Sequence, residues 1–152
     1  MNFMSLLFPN INKVEESDIE DILSIINEAF PYVTFSKELI KEKLKNKDFF
    51  LVKLHQKNIL VGFLELEFIS KEIVRLNAIF ISEAFRGQGF ATELLKKAIH
   101  ECKRKRVKKI FLLVKEENIA AKELYKKRKF NFTKFHDKEL DSSKIEVWER
   151  TF

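Results

Sequence analysis

Three glycines serve a chain of 152 residues, and two of them fall in one short run, Arg86-Gly87-Gln88-Gly89-Phe90-Ala91-Thr92. Glycine takes positive φ without a steric penalty, so a chain this poor in it concentrates its sharpest turn here. The run follows an apolar, strand-like segment, Leu76 to Ile81, and precedes an amphipathic segment beginning near Phe90 that reads as a long helix. A strand, a glycine-containing turn and a helix N-terminus leave backbone N–H groups free, with the helix dipole behind them. That arrangement receives an anion, and the run predicts a held phosphate or pyrophosphate.

Composition narrows the class. Apolar residues make up 45% of the chain and charged residues 34%, the balance of a globular protein rather than a disordered one. The length suits one domain over residues 1–152, and no linker, repeat or low-complexity tract divides it. The 16 phenylalanines read as core rather than as a stacking surface for bases. A net charge of +6 favours anionic ligands without choosing among nucleotide cofactors, nucleic acids and acidic surfaces. The single cysteine, Cys102, excludes an internal disulfide and suits a reducing compartment. No stretch approaches the roughly 18 apolar residues of a membrane span, and Met1 to Pro9 is apolar but short and without a basic leader. A cytoplasmic location with no membrane partner is expected.

The pattern along the chain predicts the order βααβββαβαββ, an α+β layout of one sheet with helices on both faces. Ile11 to Glu15 reads as a short strand. Ser17 is placed as a helix cap with Glu20 completing a capping box, and Ile19, Ile22, Leu23, Ile26 and Ala29 supply the stripe until Pro31 stops it. Ser36 caps a second helix to about Leu44, with Leu39, Ile40 and Leu44 expected inward. Strands follow over Phe49 to Leu54, Ile59 to Phe68 and Ile73 to Ile81, broken at Lys57-Asn58 and Ser70-Lys71 as antiparallel hairpins. Phe90, Leu94, Leu95, Ala98, Ile99 and Cys102 form a helical stripe, with Lys103 to Arg106 at its C-terminal end. Val107 to Val114 is a strand, Asn118 to Arg128 a helix, and Phe130 to Phe135 and Lys144 to Trp148 two closing strands.

Two motifs on these elements fall into register. Arg86-Gly87-Gln88-Gly89-Phe90-Ala91 matches the Arg/Gln-x-x-Gly-x-Gly/Ala signature of the GNAT acetyltransferases. About thirty residues on, Asn118, Ala121, Leu124 and Tyr125 match that family's Asn-x-x-Ala-x-x-Leu-Tyr helix, extended by Lys127 and Phe130. The chain therefore resembles the GNAT superfamily, closely over Leu76 to Phe135 and by element order in its N-terminal half. The resemblance implies a single mixed, mostly antiparallel sheet and acetyl-CoA as co-substrate. Its pyrophosphate would lie on the backbone of Arg86 to Thr92, that is Arg86, Gly87, Gln88, Gly89, Phe90, Ala91 and Thr92. It also implies that the main chain of Ile79, Phe80 and Ile81 pairs with the pantetheine arm, in a cleft between Ile81 and Val114 where two strands splay. A backbone N–H at a bulge there, with Ile81 the first candidate, would hold the oxyanion. Asn118 would touch the cofactor as well as cap its helix. Tyr125, with a phenol pKa of about 10, would protonate a departing thiolate whose thiol has a pKa of about 8.5.

The sequence departs from the family at two places. Lys129 stands where glycine usually precedes the closing Phe, at a helix C′ position that favours the left-handed region, so a differently shaped turn is expected. The neighbouring basic run, Lys126 to Lys129, reads as a solvated face, with contact to the CoA phosphates as the alternative. The second departure is the general base. Ribosomal-protein N-terminal acetyltransferases carry Glu on the strand before the Asn helix, and Leu113 stands there in this chain. Glu65 and Glu67 share a strand face with Phe63 and are the remaining candidates within the sheet, with an ordinary polar surface position the alternative for both; of the two Glu67 is preferred, and His136 is a further candidate. A lysine (pKa about 10.4) is about 2.5 units harder to deprotonate than an α-amine (about 7.7–8.0), or about 3.4 kcal/mol. A site without a strong base therefore leans toward low-pKa amines.

The expected activity is transfer of acetyl from acetyl-CoA to a primary amine, a peptide N-terminus or a small molecule, by direct attack. A non-catalytic acyl-CoA-binding regulatory module is the alternative, against which Tyr125 argues. Nucleic-acid binding rests only on charge, since Lys103 to Lys109 straddles a helix end without interleaved aromatics. No metal is expected, because His55, His100, His136 and Cys102 lack ligand spacing. Cys102 belongs to a helix stripe, which disfavours an acetyl-cysteine route. The aromatic stretch Phe30, Tyr32, Phe35 reads either as the lining of the acceptor entrance or as core or hinge packing, and a homodimer is left open by the family's habit of pairing.

Overall fold

The hydrophobic periodicities resolve into eleven main elements in the computed structural model, which describes residues 9–31 and 35–152. They are β1 (Asn10–Lys13), α1 (Ile19–Ala29), α2 (Lys37–Lys45), β2 (Phe49–Gln56), β3 (Ile59–Phe68), β4 (Ile73–Ile81), α3 (Phe90–Arg104), β5 (Lys109–Lys115), α4 (Ile119–Lys127), β6 (Asn131–Phe135) and β7 (Ile145–Thr151). Short 3-10 turns at Glu16–Asp18 and Glu83–Phe85 precede α1 and the α3 turn. The order is the expected βααβββαβαββ. Tyr32, and the N-terminal stretch as far as Phe8, lie outside the described residues. Among the described residues no helix is long and apolar enough to cross a membrane.

The strands form one sheet in the order β1-β2-β3-β4-β5-β7-β6. Every neighbouring pair is antiparallel except β4–β5, which is parallel. Alternation along each strand sends side chains to two cores. On one face α1 and α2 bury Ile19, Ile22, Ile26 and Ile40 against Leu51 and Phe63. On the other, α3 buries Leu94, Leu95, Ala98 and Cys102 against Leu64, Leu66 and Ile110, with α4 packed at its edge. The β2–β3 hairpin turns through Lys57 (φ 50) and Asn58 (φ 66), the paired positive φ of a two-residue loop whose twist matches the strands.

Two expectations from the N-terminal half are corrected. Ser17 and Glu20 do not cap α1. The capping box lies two residues earlier, at the head of the 3-10 turn Glu16–Asp18 that leads into α1, where the Asp18 carboxylate accepts the Glu15 amide at 2.7 Å. Asp18 is held there by Lys53 of β2, at 2.6 Å in a buried pair, a tertiary partner that outcompetes a local one. Ser36 does cap α2, its hydroxyl oxygen accepting the Leu39 amide at 3.3 Å. Leu39 itself does not face inward and is 46% exposed.

The C-terminal ends of α3 and α4 share one device. In α4 the Phe130 amide reaches the Tyr125 carbonyl at 3.0 Å and the Lys129 amide reaches that of Lys126 at 3.1 Å. In α3 the Val107 amide reaches Cys102 at 2.9 Å and the Arg106 amide reaches Lys103 at 3.1 Å. Both are Schellman closures, with Lys129 (φ 67) and Arg106 (φ 57) in the left-handed position. The turn at Lys129 therefore keeps its shape, contrary to the sequence expectation, and the cost is backbone strain in a cationic residue that also complements the dipole. In Lys129→Gly, relief of roughly 1–2 kcal/mol of strain less the 0.4–1 kcal/mol of extra chain entropy that glycine loses leaves a net gain of about 0.5–1 kcal/mol. Urea denaturation should show the midpoint rising; a lower midpoint would mean that the lysine side chain holds the turn.

Candidate active site

The sheet opens where β4 leaves β5. Their pairing runs from Ile73↔Lys109 to Leu76↔Leu112 and ends there. On its other side β4 stays paired with β3, but the register slips between Glu65↔Ala78 and Leu66↔Leu76, leaving Asn77 as a bulge residue. A bulge bends and twists its strand, so β4 beyond Asn77 diverges from β5. The bulge is thus at Asn77 and not at Ile81, where the sequence reading set it.

The main chain of the diverging segment has a defined orientation. The Ser82 amide bonds to the Val61 carbonyl at 2.8 Å. By antiparallel alternation Phe80 and Ala78 also face β3, and the N–H and C=O groups of Ile79 and Ile81 face the opening. The Ile81 carbonyl accepts from Arg86 Nε at 3.0 Å, which fixes the guanidinium to β4. Glu28, near the end of α1, accepts from Ser82 Oγ at 3.1 Å and from the Glu83 amide at 3.1 Å, tying the following turn to the helix layer.

That turn is the glycine run. Gly87 (φ 77) and Gly89 (φ 84) both sit in the left-handed region, and Gly89 is the N-cap of α3. A Cβ at either would meet nothing within 4 Å, so backbone conformation rather than protein packing requires glycine there. Among the described residues the amides of Gly87 through Thr92 donate to no protein acceptor. They form a nest of unsatisfied donors at the positive end of α3, the electrostatics an anion needs.

A cleft of about 560 Å³ joins these parts. Ile79, Phe80, Ile81, Arg86, Gly87, Gly89, Phe90, Ala91 and Thr92 line one side, and Asn118, Ala121, Leu124 and Tyr125 of the α4 segment the other. Val114 does not line it, so α4 makes the far wall. Gln88 is the one residue of the run outside the lining. Asn118 caps α4, its side-chain oxygen accepting the Ala121 amide at 3.1 Å. Tyr125 is wedged against Phe130, ring centroids 5.8 Å apart. Burial pushes its phenol up to about 12, and its hydroxyl has no hydrogen-bond partner among the described residues. Cys102 is fully buried, its thiol pushed up to about 12 by the loss of solvent, which keeps it out of covalent chemistry.

Glu67 lies elsewhere. A second cleft of about 420 Å³ opens on the α1–α2 face of the sheet, lined by Phe30, Phe35, Phe63, Glu65, Glu67, Asn77 and Phe80 among others. Phe80 lines both clefts. Glu65 is buried and held by Lys43 at 3.0 Å and by Asn77 Nδ2 at 2.7 Å, while Glu67 receives only the Asn77 amide at 3.3 Å. Glu67 stands opposite Arg75, about 13 Å along the strand from Ile79.

The sequence reading missed Gly62. Its Cβ would lie 2.6 Å from the Phe80 carbonyl oxygen and 2.6 Å from Ile81 Cδ1. The absence of that carbon lets β3 approach the end of β4 that lines the cleft. A lone glycine inside a strand of large apolar residues was the available signal. Asn77 and Lys43 carried none, since their importance is set by register and tertiary contact.

A family model described as the acetyltransferase (GNAT) family matches residues 19–132. The chain belongs to that family. An uncharacterized N-acetyltransferase of Methanocaldococcus jannaschii is 31% identical over 138 residues, covering 79% of this chain. The match takes in 59% of that relative's own length. The ribosomal-protein-S18-alanine N-acetyltransferase of Escherichia coli superposes with a TM-score of 0.81 at 18% identity, over 95% of this chain and 94% of that one. The protein yncA of Salmonella typhimurium, solved with its cofactor acetyl-CoA, superposes with a TM-score of 0.82 at 15% identity, over 94% and 93%. The mixed, mostly antiparallel sheet with helices on both faces is thus a GNAT fold. Within it, Gly62→Ala should cost about 1–3 kcal/mol through forced separation of β3 and β4, read as a lower urea midpoint. An unchanged midpoint would show that the β4 end yields freely.

Proposed function

We propose that this GNAT chain transfers an acetyl group from acetyl-CoA to a primary amine by direct attack. The observation that carries the reading is the combination, in one cleft, of unbonded Gly87–Thr92 amides, outward-facing Ile79 and Ile81 main chain, and the unpartnered Tyr125 hydroxyl. The amides take the pyrophosphate of the co-substrate. Ile79 and Ile81 offer the hydrogen bonds of a free strand edge to its pantetheine amides. The family membership, and the acetyl-CoA bound in the Salmonella neighbour, support the same donor.

The amine nitrogen forms a bond to the thioester carbonyl carbon, the C–S bond breaks, and one proton passes from nitrogen to sulfur. The Ile81 N–H, facing the opening, is placed to hold the oxyanion, a contribution of about 2.7–4 kcal/mol for one such donor elsewhere. Tyr125 hydrogen-bonds the leaving sulfur. Its phenol at about 12 stays protonated through neutral pH. Outright donation to a thiolate of pKa about 8.5 is uphill by about 5 kcal/mol. Tyr125 therefore relays: it gives its proton as sulfur departs and regains one from the nitrogen of the tetrahedral intermediate formed by the attack.

The acceptor enters from the second cleft, where Phe30, Phe35 and Phe63 supply apolar walls and Glu67 keeps lone pairs free. There Glu67 holds a cationic group of the acceptor other than the attacking amine. With Glu28 committed to Ser82 and the Glu83 amide beside Ile81, acceptors that are partly neutral at pH 7–8 are favoured, such as peptide N-termini and low-pKa small amines. The E. coli neighbour, named for an alanine acceptor, supports the α-amine class.

Tyr125→Phe is expected to lower kcat by roughly 10²-fold or more while leaving the KM for acetyl-CoA within about twofold. An unchanged kcat removes Tyr125 from the reaction. Rates should rise as pH passes the acceptor's own pKa, about 8 for an α-amine. They should show no tyrosine-linked decline until pH approaches the folded value of about 12. Transfer of label from acetyl-CoA across a panel of peptides, polyamines and drugs tests the activity itself. A coenzyme that binds without label transfer to any amine would instead support a binding module.

A further inference from the structure

A third concavity, about 310 Å³, lies between the C-terminal half of α3, the end of α4 and β7, and shares no lining residue with the acetyl cleft. Lys96, Lys103, Lys127, Arg128, Lys129 and Arg150 line it. His100 and Ile99 complete the wall, and no carboxylate is part of it. Lys96 pairs with Glu93 of its own helix at 3.5 Å. The other five cations have no carboxylate partner among the described residues. Two are forced together: Arg150 Nη1 donates to the Arg128 carbonyl at 2.8 Å. Burial first, and the Arg128 charge second, hold the Arg150 guanidinium below its ordinary value. The Arg128 Nε is buried with no hydrogen-bond partner.

Crowding like charges without counter-charge is unfavourable, and a buried guanidinium nitrogen left unbonded adds a desolvation cost. Both are relieved by one event, the arrival of an oxyanion whose oxygens accept from a guanidinium fork and from several ammonium groups. The Schellman turn at Lys129 contributes by aiming the basic end of α4 at α3.

The geometry points to a phosphate-binding site in this groove, separate from the Gly87–Thr92 nest. Two sources could supply the phosphate. Lys96 lies one turn beyond Thr92 on α3, about 6 Å along the axis, so the ribose 3′-phosphate of a coenzyme held at the nest can reach the near end. A separate phosphorylated molecule would occupy the same cations without the nest. The first source rests on the acetyl-CoA reading given above; the second does not.

The test compares the unmodified chain with a Lys103→Gln, Lys127→Gln double variant, both exposed side chains, and with Arg128→Gln as an independent second variant. Each is titrated with acetyl-CoA, with acetyl-3′-dephospho-CoA, and with inorganic phosphate against chloride of equal ionic strength, reading affinity by calorimetry and thermal midpoint. If the coenzyme is the source, loss of the 3′-phosphate weakens binding roughly tenfold, about 1.4 kcal/mol, in the unmodified chain, and the gap closes in the variants. If a separate phosphate is the source, the coenzyme forms bind alike. Inorganic phosphate then raises the midpoint of the unmodified chain but not of the variants. Equal coenzyme binding with no variant-dependent effect of phosphate overturns the site. A chain that binds neither coenzyme overturns the acetyl-CoA reading instead, and the phosphate titration still reads the groove.

Discussion

The parting of β4 from β5 beyond Leu76 and Leu112 is the constraint on which the rest depends. A sheet paired throughout would consume every inward-facing N–H and C=O of β4 in ladder bonds. The extra residue Asn77 prevents this by bending β4 away while β3 keeps hold of it. The main chain of Ile79 and Ile81 is thereby left with unmet hydrogen-bonding capacity at the edge of a cleft. Unpaired backbone groups away from water are costly, so such an edge is built to be completed by a ligand. Gly62 is the complementary concession on β3, since any side chain there would collide with the strand end that must stay in place.

Two chemistries follow from the divergence because the bulge residue serves both faces. Its main chain opens the acetyl cleft, and its side chain bonds Glu65 and Glu67 in the second cleft. Phe80, stacked on Phe63 and edge-on to Phe30, forms the partition between them. In the proposed reaction donor and acceptor are received from opposite faces of one sheet. The layout suits direct transfer, and the buried thiol of Cys102 offers no competing covalent route.

Much of this was legible in the residues. The glycine run, the α3 stripe and the Asn118 cap are local patterns, and local physics decides them. So does the hairpin at Lys57-Asn58, where short-range turn geometry is sufficient. What escaped the sequence depended on distant partners. The capping box sits on Glu15 and Asp18, before α1, because Lys53, far along the chain, holds the Asp18 carboxylate. Leu39 faces out because α2 turns its stripe around Ile40. The bulge at Asn77 is a matter of register between β3 and β4, and Asn in a strand carries no marker for it. Strand alternation puts Glu67 on the face that lines the second cleft, but it does not reveal the Asn77 side chain shared with Glu65. Lys129 shows the converse: its strain was legible, while the survival of the glycine-type turn followed from hydrogen bonds to Tyr125 and Lys126 that outweigh it.

In the proposed function the free β4 edge and the unbonded amides before α3 together receive acetyl-CoA. Amide chemical shifts during titration of the isotopically labelled protein with acetyl-CoA measure this directly. Large shifts are expected at Ile79, Ile81 and Gly87 through Thr92, with protection of those amides from solvent exchange and little change along β1 and β2. Saturable binding that leaves those amides unmoved would contradict it.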